Sequence, residues 1–142
     1  MKIRQALKTD LKDIAKILMN ESSKKPYNEK YNFKGALREI TGMFKQEIYV
    51  AVNEKEIIGF IASNINQSNR KKAYIGELWL KPSHQRKGIG KALLGFIERK
   101  YKNKGVKFIR LVAQRNAEAF NFYKKVKYKE YKSLVFMEKK LK

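Results

Sequence analysis

Apolar positions recur every three or four residues in the first third of the chain and every second residue in the middle third. Residues 3–6 read as a short strand, after which Thr9 and Asp10 supply a cap and an N-terminal negative charge for a helix over 10–20. Leu11, Ile14, Ala15 and Leu18 fall on one side of it and predict a buried face. The polar stretch 22–28, with Pro26, breaks the pattern before a weaker helical repeat over 33–44, through Leu37, Ile40 and Thr41 and interrupted by Gly35 and Gly42. From Glu47 the period is two. Ile48, Val50 and Val52 alternate with Tyr49 and Ala51, Asn53 to Lys55 turn the chain into a second strand over 57–65, and the polar loop 66–72 leads to a third over 73–81.

After Pro82 a glycine-containing loop precedes a helix through Ala92, Leu93, Phe96 and Ile97 that ends near Gly105. Residues 108–113 read as a buried strand, Asn116 opens a helix carrying Ala119, Phe120 and Tyr123, and alternation returns over 128–137 as a closing strand. This order predicts an α/β fold: one domain, residues 1–142, with a mixed, mostly antiparallel sheet and helices on both faces. The strands flanking the helix at 88–102 should be parallel, because a helical crossover joins them.

Composition narrows the function. With 43% hydrophobic residues in 142, the chain can build one core; no run of 18 apolar residues exists, and the polar start is unlike a signal peptide, so a cytoplasmic protein with no membrane partner is expected. There is no cysteine to form a disulfide, a thiolate metal site or an acyl-cysteine, and His84 is the only histidine, so no metal centre is expected. The formal charge of +21 attracts phosphate in any form: a nucleic acid, an anionic membrane or a phosphorylated cofactor. Lysines spread over solvated faces would give the same count.

One segment is more specific. Gln85, Arg86, Lys87, Gly88, Ile89, Gly90 and Lys91 lie between a strand and a helix, where free backbone N–H groups and the helix dipole favour an anion. Glycines at 88 and 90 let the backbone approach a diphosphate, and three cations surround them. A dinucleotide-binding fingerprint would need glycine where Leu93 stands, and the nucleotide P-loop a longer spacing followed by Lys and Ser or Thr.

The run from Gly76 to Leu94, with Gln85, Gly88 and Gly90 as its Gln-x-x-Gly-x-Gly core, resembles the acetyl-CoA-binding motif of the GNAT superfamily of N-acetyltransferases. A second block, Asn116 with Ala119, Phe122 and Tyr123, is similar to that family's Asn-x-x-Ala-x-x-Phe-Tyr helix. Together they span 73–128. One departure stands out: Val126, Lys127 and Tyr128 occupy the place where the family usually turns with Gly and an aromatic, which implies a different turn there.

The resemblance implies a splayed parallel strand pair at the cofactor site and acetyl-CoA as cosubstrate. It also implies direct transfer of the acetyl group to a primary amine, on a small molecule or a protein, in a ternary complex. At neutral pH an amine of pKa about 10.4 is neutral in roughly one part in a few thousand, a handicap of about 4–5 kcal/mol that a base or a desolvating site must offset. Backbone N–H groups of Leu78 and Leu80 would hold the pantetheine arm and polarise the thioester, with their side chains in the core. Glu77, on the opposite face, is either the base or a salt-bridged surface carboxylate. Tyr123 is the acid for the departing thiolate or an aromatic core residue. Asn116 would bond the pantetheine amides, cap its helix, or both. Trp79 lines the acceptor pocket or packs, and His84 reads as an exposed loop residue.

Acceptor choice would lie in 21–46 and 64–72, among Tyr27, Tyr31, Phe33 and Phe44, with Glu21, Glu29, Glu39 and Glu47 as carboxylates for a cationic amine or as solvated groups. The positive field disfavours polycations unless a local acidic pocket overrides it. Two rival readings remain: a basic nucleic-acid-binding module, and a CoA-binding relative without catalysis.

Overall fold

The computed structural model describes residues 1–44 and 47–142; Gln46, the end of the first acceptor segment, lies outside them. Among the described residues five strands form one sheet in sequential order: β1 (Lys2–Gln5), β2 (Glu47–Asn53), β3 (Glu56–Ile65), β4 (Lys72–Leu80) and β5 (Phe108–Arg110). Neighbours from β1 to β4 are antiparallel, while β4 and β5 are parallel, joined through helix α3 (Ile89–Asn103). Helices α1 (Leu11–Ser22) and α2 (Phe33–Met43) precede β2, and α4 (Glu118–Lys125) follows β5.

The period-two pattern of β2 separates two cores. Ile48 and Val50 pack with Ile14, Leu18, Ala36 and Ile40 of α1 and α2, whereas Tyr49 and Ala51 pack with Leu93, Leu94 and Ile97 of α3. Both sheet faces are therefore covered by helices, as the sequence predicts. No helix is long and apolar enough to cross a membrane among the described residues.

Local chemistry differs from expectation at three places. Asp10 does not cap α1 with its side chain; its carboxylate accepts the Leu7 N–H at 2.7 Å and pairs with Arg4 at 2.7 Å, tying β1 to the start of the helix. The Arg4 guanidinium holds this carboxyl below its ordinary range. β5 is shorter and more exposed than a buried strand over 108–113, with Phe108 60% and Val112 70% exposed, because β4 alone pairs with it and only to Arg110. The expected closing strand over 128–137 is not formed: Leu134, Val135, Phe136 and Met137 are exposed. A three-residue β5 offers such a strand little edge to pair with, and Tyr128 is drawn instead onto the Tyr123 ring, 5.8 Å between centroids.

The turn after α4 closes despite its unusual sequence. Lys127 donates its N–H to Lys124 O at 3.0 Å and Tyr128 donates to Tyr123 O at 2.9 Å, the paired bonds of a Schellman cap, with Lys127 in the left-handed region at φ 75°. The end of α3 shows the same pair of bonds around Gly105, where no side chain opposes the positive φ. Lys127→Gly should therefore raise unfolding free energy by about 0.5–1 kcal/mol in urea titration, the roughly 1–2 kcal/mol cost of holding a side chain in that region less the chain entropy that glycine loses on folding. An unchanged or lower midpoint would mean that Lys127 is held there by something other than the cap.

Candidate active site

The geometry of the site begins with one extra residue in β4. Ser63 of β3 faces Ile75, but Ala62 faces Glu77, so Gly76 is bulged out of register. Ala73 and Ile75 point into the α3-side core, and plain alternation would send Glu77 and Trp79 after them. The bulge reverses this. Leu78 and Leu80 pack on the α3 side, while Trp79 packs with the α1–α2 core and its indole N–H donates to the Glu77 carboxylate. Glu77 therefore lies opposite Leu78 and Leu80, as the sequence predicts.

β4 also loses its partner. β5 pairs only with Lys72, Ala73 and Tyr74, so over 75–80 the edge of β4 that faced β5 has no strand beside it among the described residues. The backbones of Leu78 and Leu80 fall in this open stretch. Buried backbone N–H groups are rarely left unbonded, so such an edge calls for water or a ligand.

The loop sits at the end of that edge. Arg86 has φ 62° and Gly88 φ 82°, the latter serving as N-cap of α3 with no side-chain cap bond. The bond from Ala92 N–H to Gly88 O, 3.0 Å, opens the helix. The first-turn N–H groups of Ile89, Gly90 and Lys91 precede it and have no helical acceptor. Gly88 is favoured by its dihedral, which would strain any side chain. Gly90 is not required by crowding, because a Cβ there would meet Leu80 Cδ1 at 3.5 Å and Phe122 Cζ at 3.7 Å, ordinary contacts. What glycine preserves at 90 is access from outside.

Lys87 and Lys91 are exposed beside these groups, and Arg86 pairs with Glu118 of α4 at 2.7 Å. A cleft of about 610 Å3 begins at Gly88 and Lys91 and runs past Gly95 and Arg99 to Lys125 and Lys127. Arg99, Lys125 and Lys127 are not among the cations that the sequence assigns to the anion seat. A signal was available for the first of them: Gly88, Ala92, Gly95 and Arg99 recur at helical spacing, a small-residue groove ending in a cation. A larger cleft of about 1770 Å3 lies between β5 and the chain after α4 and shares only Tyr123 with the expected site; its size follows from the tail standing off β5. The loop cleft has the anion-binding groups.

Gln85 differs from expectation. Its side-chain amide donates to Leu80 O at 3.1 Å and to Glu21 Oε1 at 3.0 Å, and its backbone N–H donates to Pro82 O at 3.3 Å, so Gln85 holds the loop in place and offers no free donor to an anion. Asn116 is exposed, one residue before the Ala117 N-cap, and does not cap α4. His84 is half-exposed, its Nδ1 2.9 Å from Ser83 Oγ.

Burial pushes the Glu77 carboxyl up to about 7 against the opposing Trp79 bond, with Glu39 and Glu29 adding to the rise. Burial, with smaller effects of Tyr27 and Glu77, pushes the Tyr123 phenol well above its ordinary range and keeps it protonated at neutral pH. The hydroxyls of Tyr101 and Tyr128 are engaged with Ser63 and Glu98; that of Tyr123 has no such partner among the described residues. Tyr27 meets Trp79 edge-on at 4.8 Å between centroids, and its phenol is raised by burial and by Glu118. Of the four carboxylates considered for the acceptor, Glu21 is taken by Lys24 and Gln85 and Glu47 by Lys104, whereas Glu29 and Glu39 act on Glu77 and Tyr31.

The sequence profile of the Acetyltransferase (GNAT) family matches residues 11–128. No curated protein sequence matches the chain. Among solved structures, a possible acetyltransferase from Clostridium difficile 630 is similar at 18% identity and TM-score 0.83, over 99% of this chain and 98% of that one. The aminoglycoside 6'-N-acetyltransferase AAC(6')-IG from Acinetobacter haemolyticus, in apo form, is 16% identical with TM-score 0.77 over 100% of both chains. The aminoglycoside N-acetyltransferase AAC(6')-Iy, solved with CoA, is 18% identical with TM-score 0.77 over 99% of this chain and 95% of that one. At these identities the likeness is one of fold. With the profile spanning most of the sequence, both glycine-loop and Tyr123 blocks included, the chain belongs to the GNAT family of acetyltransferases.

Proposed function

We propose that the chain transfers the acetyl group of acetyl-CoA directly to a primary amine within a ternary complex. The observation that carries this reading is the meeting of an open β4 edge with the uncapped start of α3. The first offers backbone donors to an extended arm, the second an anion seat. Gly88, Ile89 and Gly90 through their backbone, with Arg86, Lys87 and Lys91 as cations, are the groups for the diphosphate, and Gln85 holds the loop that presents them. Leu78 and Leu80 N–H groups and Asn116 are those for the pantetheine arm and the thioester oxygen.

The chemistry needs two proton positions. The amine nitrogen forms its bond to the carbonyl carbon as the carbon–sulfur bond breaks. A cationic amine first gives one proton to solvent through Glu77; the second, shed as the bond forms, goes to Glu77, and the thiolate takes one from Tyr123, so each turnover releases one proton net and solvent resets both groups. A carboxyl near 7 is matched to that duty, and a phenol held protonated by burial suits the other. Glu77, Glu29 and Glu39 form a locally acidic face in a chain of +21, which favours a cationic amine beside the Tyr27–Trp79 wall.

Saturating acetyl-CoA should stabilise the protein, by about 2.7 kcal/mol at a hundred times Kd, in a melting assay that nucleic acid at matched charge does not reproduce. A shift with DNA or RNA alone, abolished by salt, would return the chain to the nucleic-acid reading.

Tyr123→Phe should lower kcat for thiol release by roughly a hundredfold while leaving CoA affinity within about twofold. Unchanged turnover across an amine panel would remove Tyr123 from the acid role.

Glu77 gives a pH test in two parts. Turnover should rise with an inflection near 7, and Glu77→Gln should erase it. The folded pKa stands above the ordinary value of 4.5, so the carboxyl's stabilising effect is complete below about 4.5 and lost as pH rises through about 7. Glu77→Gln should accordingly raise the melting temperature at pH 8 and leave it unchanged at pH 4. A variant with the wild-type profile in both would show that Glu77 is neither buried nor the base.

A further inference from the structure

Glu21 stands in the last turn of α1 and is only 6% exposed, one of 13 acidic side chains in the sequence. A carboxylate at the C-terminal end of a helix faces the negative end of the dipole, and a buried one must also be fully bonded. Both costs are met from two directions. Lys24 Nζ donates to its two oxygens at 3.0 and 2.9 Å, and the Gln85 amide donates to Oε1 at 3.0 Å. The same amide nitrogen donates to Leu80 O at 3.1 Å.

These bonds connect both halves of the site. Gln85 is the first residue of the anion loop and Leu80 the last of the open strand, so the amide fixes the loop against the end of β4. Lys24 begins the segment that carries Tyr27 to Trp79: Tyr27 and Asn28 donate their N–H groups to Lys24 O at 2.9 and 3.0 Å. A single carboxylate thus holds the cofactor loop through Gln85 and the acceptor wall through Lys24.

We infer that Glu21 is a positioning residue that sets the anion loop and the Tyr27–Trp79 wall together, so that cofactor binding and the acceptor wall are mechanically joined through its side chain. The inference rests on the loop being the CoA seat proposed above. Removing the carboxylate frees both partners, whereas an amide keeps an oxygen for Gln85 and gives up the charge that holds Lys24. The two replacements therefore separate the two duties.

Trp79 is the only tryptophan, so its emission reports the wall directly. Glu21→Ala should raise the Kd for CoA about tenfold, the loss of a hydrogen bond to a charged group, and shift Trp79 emission to the red. Glu21→Gln should shift the emission similarly while keeping the CoA Kd within about twofold of wild type. Gln85→Ala should weaken CoA binding like Glu21→Ala, leave the emission in place, and add little to Glu21→Ala in the double variant. Circular dichroism and melting establish that each variant is folded; if Glu21→Ala does not fold, Glu21→Gln and Gln85→Ala carry the same comparison. Folded variants with wild-type CoA Kd and wild-type emission overturn the inference alone. Wild-type protein indifferent to CoA overturns the reading of the loop and this inference with it.

Discussion

β4 is paired on both sides for three residues and on one side thereafter, and the rest of the site follows from that change. From Lys72 to Tyr74 it is an interior strand; beyond Tyr74 its outer edge is open. An unpaired edge is normally a liability that proteins cover or shorten, because its N–H and C=O groups invite any extended chain. Here the edge leads into the start of α3, whose first-turn N–H groups also lack acceptors. Two sets of unsatisfied donors are thus placed end to end. Their natural complement is a long molecule with amides along its length and phosphate at one end, a shape that acetyl-CoA has.

The bulge at Gly76 gives that edge its second use. By reversing the faces of β4 it sends Leu78 and Leu80 into the α3-side core and turns Glu77 and Trp79 toward α1 and α2. The leucines fix the strand's depth while its backbone stays available, and the carboxylate comes to lie among Tyr27, Tyr31, Glu29 and Glu39. The chain's large positive charge is therefore divided locally. Cations collect around the loop and the groove toward Arg99, and carboxylates collect on the opposite face of β4. Arg86 and Glu118 meet where the two fields adjoin.

How much of this is legible in the sequence depends on whether the signal is local. The alternation in β2, the helical face of α1 and the glycine pair with its cations are all written in contiguous residues, and the elements they predict are present. The bulge is marked only faintly, by Gly76 and the polar Glu77 after Ala73 and Ile75, and pairing with β3 is what reveals the extra residue. Lys127 misleads for a related reason: the cap needs a positive φ, which glycine adopts freely and lysine adopts when two backbone bonds impose it. The tail fails in the opposite sense, its alternation being a pattern for which β5 supplies too short an edge. Glu21 and Gln85, 64 positions apart, share a hydrogen bond that no spacing rule contains.

The proton positions of the proposed reaction also come from packing rather than from residue type. Glu77 and Tyr123 begin as a carboxyl and a phenol whose ordinary pKa values differ by more than five. Burial raises both, yet the consequence differs because of where each starts. The carboxyl reaches about 7, where it can exchange a proton with an amine and with solvent, while the phenol moves further from ionising and holds its proton until a thiolate appears. Glu77 also opposes the ionisation of Tyr123, adding to the rise of the phenol. A charged Glu77 therefore makes Tyr123 harder to ionise at the stage when it must remain an acid, and proton uptake by Glu77 relaxes that opposition when the phenol must give its proton up. One cause, burial, thus gives two different acids the two proton duties that the proposed reaction needs.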